Sequence, residues 1–243
     1  MVCPPGLLEA FDRSRLDHHN RASNDARTAR APHGVFCLKA LSPSAARVCD
    51  AALGHFADYG YDASSLNEIA QLAGMRKPSL YAHFANKDAL FVAVLRRALV
   101  EETAHVDQAF GQEANAGVAP GHWLVLHLAE RYQQSAGLRF VLRTAFLPPA
   151  DIKATVVEGF ELYLEGIRQW FCQALRARYA WASSDGTRLE IYADAYLGII
   201  DSLHVELMYA DPAVYARRAA SLLKILDDSL SLTTGADAQR VTA

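Results

Sequence analysis

Between Ser64 and Lys87 the chain reads SSLNEIAQLAGMRKPSLYAHFANK, which gathers Arg76, Lys77, Ser79, Tyr81, His83 and Lys87 into a short space. Guanidinium, ammonium, hydroxyl and imidazole groups at this density are hydrogen-bond donors suited to phosphate oxygens and to the acceptor edges of bases. No acidic residue stands between Glu68 and Asp88, so Arg76, Lys77 and Lys87 keep their charge for a partner. Groups of this kind read a duplex only when a rigid element presents them outward.

The flanking residues supply such an element. Ser64 or Ser65 suits the N-cap of a first short helix, and Ser65 with Glu68 has the spacing of a capping box. The inner face of that helix is Leu66, Ile69, Ala70 and Ala73. Gly74 falls where the chain must reverse through positive φ, and Met75 fills the angle beyond it. Pro78 is tolerated only in the first turn of a second helix, so it marks a helix start. Leu80 and Phe84, four apart, turn inward, leaving Arg76, Lys77, Ser79, Ala82 and His83 to project outward.

The run from about Ser42 to Glu102 resembles the TetR family of bacterial transcription regulators. It has the opening helix ARVCDAALGHFADYG, the turn YDASS, the helix-turn-helix with AGM, and then LYAHFANKDALF leading into a long helix. The resemblance implies an all-α fold. A three-helix DNA-binding domain over residues 42–102, with its helix-turn-helix at 65–84, is joined by a long helix to a larger ligand-binding and dimerisation bundle over 103–232. Tyr81 and Lys87 match positions that hold phosphates in that family, and Ser64 or Ser65 matches a hydroxyl at the start of the second helix. Base reading falls to Arg76, Lys77, Pro78, Ser79 and His83, with Arg or Lys favouring guanine and Pro78 a thymine methyl. Many members carry Ser or Thr where Arg76 stands, so the recognition helix lacks that cap here. Asn67, on the outer face of the preceding helix, can compensate by reaching a base or phosphate.

Composition agrees with this reading. The chain has 243 residues, 51% of them hydrophobic, and a formal net charge of −3, so nucleic-acid binding must come from a local patch. Cys3, Cys37, Cys49 and Cys172 form no CxxC pair, which argues against a disulfide framework or a zinc site and for a reducing cytoplasm. No early apolar run reads as a signal peptide and no stretch spans a bilayer, so no membrane partner is expected. No cofactor or metal is expected either. The spacing of Asp201, His204 and Glu206 does not gather them on one helical face, and a solvated or interface-rim role is the reading for them.

Four regions follow in order. Residues 1 to about 40 read as a disordered tail whose arginines are largely offset by acids, and the His18, His19, His33 and Cys37 group is read as incidental. In the DNA-reading part Ser42 caps a first helix that ends at Gly60, and a helix from Lys87 runs to about Phe110, about 36 Å at ~1.5 Å per residue. Residues 111–121 form a connection. Two or three helices follow to Ala180, broken near Gly137 and at Pro148-Pro149. They carry Trp123, Tyr132, Phe140, Phe146, Phe160, Tyr163 and Trp170, which with His127 make either plain core or the lining of a pocket for an apolar or aromatic effector. The loop WASSDGTR precedes two helices split at Asp211-Pro212.

On those last helices Tyr196, Ile199, Leu203 and Leu207, and Ala216, Ala219, Leu223 and Leu226, form apolar sides. They suit a two-fold dimer or an internal bundle, and the family resemblance favours the dimer. A disordered tail from Thr233 closes the chain. A homodimer presents two recognition helices about 34 Å apart to a palindromic operator. An effector that binds the two states unequally then alters that separation, with repression the simplest outcome. The rival classes are a helical adaptor that has lost DNA binding and a helical enzyme, although no nucleophile elbow, phosphate loop or metal motif appears.

Overall fold

A computed structural model describes residues 41–241, with side chains over 41–232, and every regular element within them is helical. The expectations for residues 1 to about 40, including the His18, His19, His33 and Cys37 group, lie outside the described residues. Helix α1 (Pro43–Ala63) starts where the Ser42 hydroxyl accepts the Ala45 N–H at 3.2 Å, with Pro43 in its first turn. Its helical geometry breaks at Gly60, whose φ of 79° is open to glycine at little cost. Helices α2 (Leu66–Leu72) and α3 (Lys77–Tyr81) follow, and the Asn86 side chain then caps α4 (Lys87–Ala116) by accepting the Ala89 N–H at 2.8 Å.

The long helix outruns its expected end at Phe110. Its buried face continues through Val106, Ala109, Phe110 and Glu113, and this packing overrides the weak helix preference of Gly111. At 30 residues α4 is about 45 Å long, and it stops only at Gly117 in the left-handed conformation.

Helices α5 (His122–Gln134) and α6 (Ala136–Phe146) are divided at Ser135 rather than at Gly137, because the Ser135 hydroxyl caps α6 by accepting the Leu138 N–H at 3.0 Å. Pro148 and Pro149 separate α6 from a 3-10 turn (Ala150–Ile152) and α7 (Lys153–Arg178). Part of the segment expected as a loop forms the single turn α8 (Trp181–Ser184), after which Asp185 caps α9 (Gly186–Tyr209). Helix α10 (Pro212–Val241) continues past Thr233, where a disordered tail is expected.

Three rings join the N-terminal helices to the rest. Phe56 of α1, Phe91 of α4 and Phe140 of α6 lie within the core, with centroids 4.8 Å apart for Phe56–Phe91 and 5.0 Å for Phe91–Phe140, both edge to face. Beside them Arg143 of α6 donates to the carbonyls of Asp58 at 3.1 Å and Ala57 at 3.4 Å, satisfying the last turn of α1 before the Gly60 kink. Phe140 therefore belongs to this junction, the plain-core alternative for that residue. Periodicity assigns an apolar face to α6 without saying which helix will cover it.

Two carboxylates inside the bundle are fully engaged. Glu102 accepts from Arg131 at 2.8 and 3.2 Å and from the Ser135 hydroxyl at 2.8 Å. Glu113 accepts the backbone N–H groups of Gly121 at 2.9 Å and Trp123 at 3.1 Å, which tie off the start of α5. Burial raises the Glu113 carboxyl pKa, and these N–H bonds oppose that rise.

Tyr196 packs flat on Phe171 with centroids 4.0 Å apart and donates its hydroxyl to the Gly121 carbonyl at 2.8 Å. Tyr196, Ile199, Leu203, Ala219, Leu223 and Leu226 are all buried within the subunit, so they do not form an outward dimer face. Their apolar sides cover each other and the neighbouring helices, the internal-bundle alternative. Leu207 is half-buried and Ala216 exposed.

Gly121 has φ of 83°, and a Cβ added there would sit 2.4 Å from the Tyr196 ring. The Gly121→Ala substitution is expected to destabilise the fold by roughly 2–4 kcal/mol, combining strained backbone with overpacking. Urea denaturation followed by circular dichroism would measure the loss, and an unchanged midpoint would contradict the packing described.

Candidate nucleic-acid interface

The reading module stands on few residues. Ile69 and Ala70 of α2 and Leu80 of α3 are fully buried, Phe84 nearly so, and the two short helices pack on each other and, through α2, on α1. Gly74 turns between them with φ of 68°, and Met75 packs half-buried against the core. Helix α3 has Arg76 at its N-cap position with no side-chain hydrogen bond there, and Pro78 occupies its first turn. The missing cap matters less because Leu80 and Phe84 hold the helix from beneath.

With its inner side committed, the segment leaves Arg76, Lys77, Pro78, Ser79, Tyr81 and His83 exposed along a single stretch, and Asn67 is exposed on α2. Tyr81 is 47% exposed although aromatic, which frees its hydroxyl for a polar partner. Lys87 is half-buried: its ammonium lies 4.5 Å from the centre of the Tyr61 ring and donates to the Asp62 carbonyl at 3.3 Å. The contact holds the cation beside the N-terminus of α4, whose free N–H groups already favour an anion.

The paired serines divide their work. Ser64 is buried and donates to the Gly60 carbonyl at 2.6 Å, and its oxygen lies 2.9 Å from His55 Nδ1. It is thus removed from the phosphate-holding set, since a hydroxyl committed to the α1 terminus cannot also meet solvent. Ser65 is the N-cap of α2, accepting the Asn67 N–H at 3.3 Å. The expected capping box is not completed, because Glu68 turns instead to His55 Nε2 at 2.9 Å.

His55 was not singled out from sequence, since a lone histidine on an apolar helix face carries no signal of its partners. Here it bridges α1 to both ends of the turn into α2. Glu102 and Glu113 did leave a signal: each is an acid within the apolar stripe of α4, which requires a buried partner.

In the bundle, Phe160 and Tyr163 of the aromatic residues expected around a ligand stand together. Trp123 stacks on His127 with centroids 4.3 Å apart along α5. Tyr132 and Phe146 are half-buried. Phe160 and Tyr163 of α7 face His204 of α9, at 6.3 and 6.5 Å between centroids. Trp170 is half-buried, with its indole nitrogen enclosed and unpartnered among the described residues.

His204 and Glu206 are buried, contrary to a solvated or rim role: Glu206 pairs with Arg218, and His204 is enclosed between α7 and α9. Burial lowers the His204 pKa to about 4, which leaves the ring neutral at neutral pH. Among the described residues no group of acids, histidines and cysteines could hold a metal ion, and no helix is long and apolar enough to cross a membrane.

Residues 48–94 match the family model described as bacterial regulatory proteins, tetR family. The HTH-type transcriptional repressor ComR of Escherichia coli K12 is 30% identical over 129 residues, 51% of this chain and 61% of ComR. The chain therefore spans about three fifths of the length of that relative. A TetR-family transcriptional regulator structure from Mesorhizobium loti superposes with a TM-score of 0.56 at 21% identity, covering 75% of this chain and 94% of that one. The regulator FadR from Bacillus subtilis, solved in complex with stearoyl-CoA, superposes with a TM-score of 0.53 at 17% identity, covering 74% and 96%.

The Ser64→Ala variant should lose roughly 1–3 kcal/mol of stability, because the Gly60 carbonyl and His55 would be left without their shared partner. Thermal unfolding of the free protein measures this. An unchanged melting temperature would return Ser64 to the solvent-facing set.

Proposed function

The chain belongs to the TetR family of bacterial regulatory proteins, and from that premise we propose that it is a ligand-responsive DNA-binding transcriptional regulator. It acts as a homodimer on a palindromic operator, in the cytoplasm and on the nucleoid when bound, and an apolar or aromatic effector releases it. The observation that carries this reading is the exposed row from Arg76 to His83, along α3 and the turns that flank it, whose other side is closed by Leu80 and Phe84.

Arg76, Lys77, Pro78, Ser79 and His83 read bases from the major groove, while Tyr81, Lys87 and Ser65 hold phosphates and fix register. Asn67 adds a base or phosphate contact from α2. One such helix buries too little surface for useful specificity, which is why the reading requires two copies. Repression needs only occupancy of a promoter, and the kinship with a named repressor supports it. That relatives and fold neighbours are regulators also supports a binding function over catalysis.

A dimer face remains open on the last two long helices. Ile191 is 63% exposed, Tyr209 70%, Ile225 67% and Leu232 76%, and Ala195 and Gly198 lie open between the first pair. Large apolar side chains held out on adjacent helices suit burial against a second copy. The bundle behind them provides the effector domain over about residues 103–232, and the acyl-CoA complex of a protein with the same fold is in keeping with a ligand there.

Gel shifts on the DNA flanking the gene test the central reading. An inverted repeat should be retarded, and the Arg76→Ala, Lys77→Ala double variant should bind it at least roughly tenfold more weakly, as expected from losing contacts of about 1–3 kcal/mol each. Affinity unchanged in that variant at fixed salt would defeat the assignment.

The assembly has its own check, since light scattering should give twice the 26.6 kDa chain mass for the parent protein. Ile225→Glu should shift it toward the single-chain mass by placing a charge in the apolar contact. A parent protein found only as single chains would refute the dimer.

A further inference from the structure

His204 is 1% exposed, yet neither of its ring nitrogens has a hydrogen-bond partner among the described residues. The two buried carboxylates of α4 are paired by contrast, Glu102 with Arg131 and Ser135 and Glu113 with the N–H groups at the start of α5. Trp170 and Trp181 each leave a single indole N–H unpartnered among the described residues, and His204 leaves both ring nitrogens so. Leaving a donor and an acceptor empty inside a protein costs the full desolvation of each, and such a group calls for a function outside the packing of the fold.

The surroundings of the ring define what could meet it. Tyr163 lies nearly parallel to the imidazole, at 24° and 6.5 Å between centroids, and Phe160 is tilted at 51° and 6.3 Å. Phe160 is half-buried, so the ring beside His204 keeps some exposure to solvent. We propose that His204 is the polar anchor of the effector site, and that the effector is a small aromatic molecule bearing an uncharged hydroxyl.

The hydroxyl follows from the imidazole. A neutral ring offers one N–H donor and one bare nitrogen acceptor, and a hydroxyl can answer either. The aromatic body follows from Phe160 and Tyr163, whose rings already meet at 6.0 Å between centroids and favour a flat apolar ring packed beside the pair. The absence of charge follows from the local balance. The Arg131 guanidinium, whose field reaches the Tyr163 hydroxyl, is already held by Glu102 through two hydrogen bonds. An arriving carboxylate would be a buried charge with no counter-ion provided.

This inference rests on the reading of the bundle as an effector domain, and its test uses no DNA, so the outcome is independent of whether the chain reads a duplex. The full chain is titrated calorimetrically at pH 7 with 2-naphthol, naphthalene and 2-naphthoate, which share one ring system and differ in the polar group. The expected result is 2-naphthol binding at least roughly tenfold more tightly than the other two, as a hydrogen bond to a desolvated partner predicts. In the His204→Leu variant, 2-naphthol should fall to the level of naphthalene while naphthalene itself is unchanged. The same variant should melt at or above the parent temperature, because a buried unpaired group has been replaced by an apolar one. Equal affinities for 2-naphthol and naphthalene, a preference that survives His204→Leu, tightest binding of 2-naphthoate, or no binding of any of the three would overturn the proposal. A clear drop in melting temperature would also overturn it, by showing that the ring is engaged within the fold.

Discussion

The meeting of Phe56, Phe91 and Phe140 is the contact on which the rest of the molecule depends. Each ring comes from a different helix, α1, α4 and α6, and each is almost wholly enclosed. Opening such a junction by removing one ring would typically cost about 3–5 kcal/mol. The coupling between two ligand sites in a regulated protein is typically about 1–3 kcal/mol. A regulatory coupling of that size, as the proposed function requires, would leave the junction intact. Under the proposed function, a shift of α4 or α6 on effector binding would reach α1 through this junction. Arg143, donating to the last turn of α1, adds a directional link at the same place.

A module this small needs that backing. Helix α3 has five residues, too few for a helix to persist by its own hydrogen bonds, and it begins at Arg76 without a side-chain cap. Its conformation is imposed from below by Leu80 and Phe84 and from the side by the Gly74 turn. The His55 bridge to Ser64 and Glu68 fixes where α2 begins relative to α1. Apolar anchors under a polar crest let the exposed residues vary while the platform stays in place.

The bundle treats its polar interior in two ways. Glu102 and Glu113 are saturated with donors and serve the structure, one uniting α4, α5 and the start of α6, the other closing the entry to α5. His204 is enclosed as deeply and left without partners. Packing alone offers no gain from that arrangement, and it is on this contrast that the proposed effector contact at His204 rests.

Local chemistry was legible directly from the residue order. Ser42 and Pro43 start α1, Gly74 reverses the chain, Pro78 opens α3, Asn86 starts α4, and Pro148-Pro149 and Asp211-Pro212 divide the later helices, because caps, prolines and left-handed glycines act over three or four neighbours. The all-α class and the outward row around Arg76 were legible for the same reason. Distant neighbours were not. Periodicity shows that Phe140, Tyr196, Leu203 and Leu226 face something apolar, but it does not distinguish the junction, the inside of the bundle or a second copy of the chain. That choice was made only when α6 closed over α1 and α9 over α7, since which surface covers an apolar face depends on helices far away in the chain. The fates of Ser64, Glu68 and His204 were decided in the same way, by partners or by an absence of partners that only the folded chain creates.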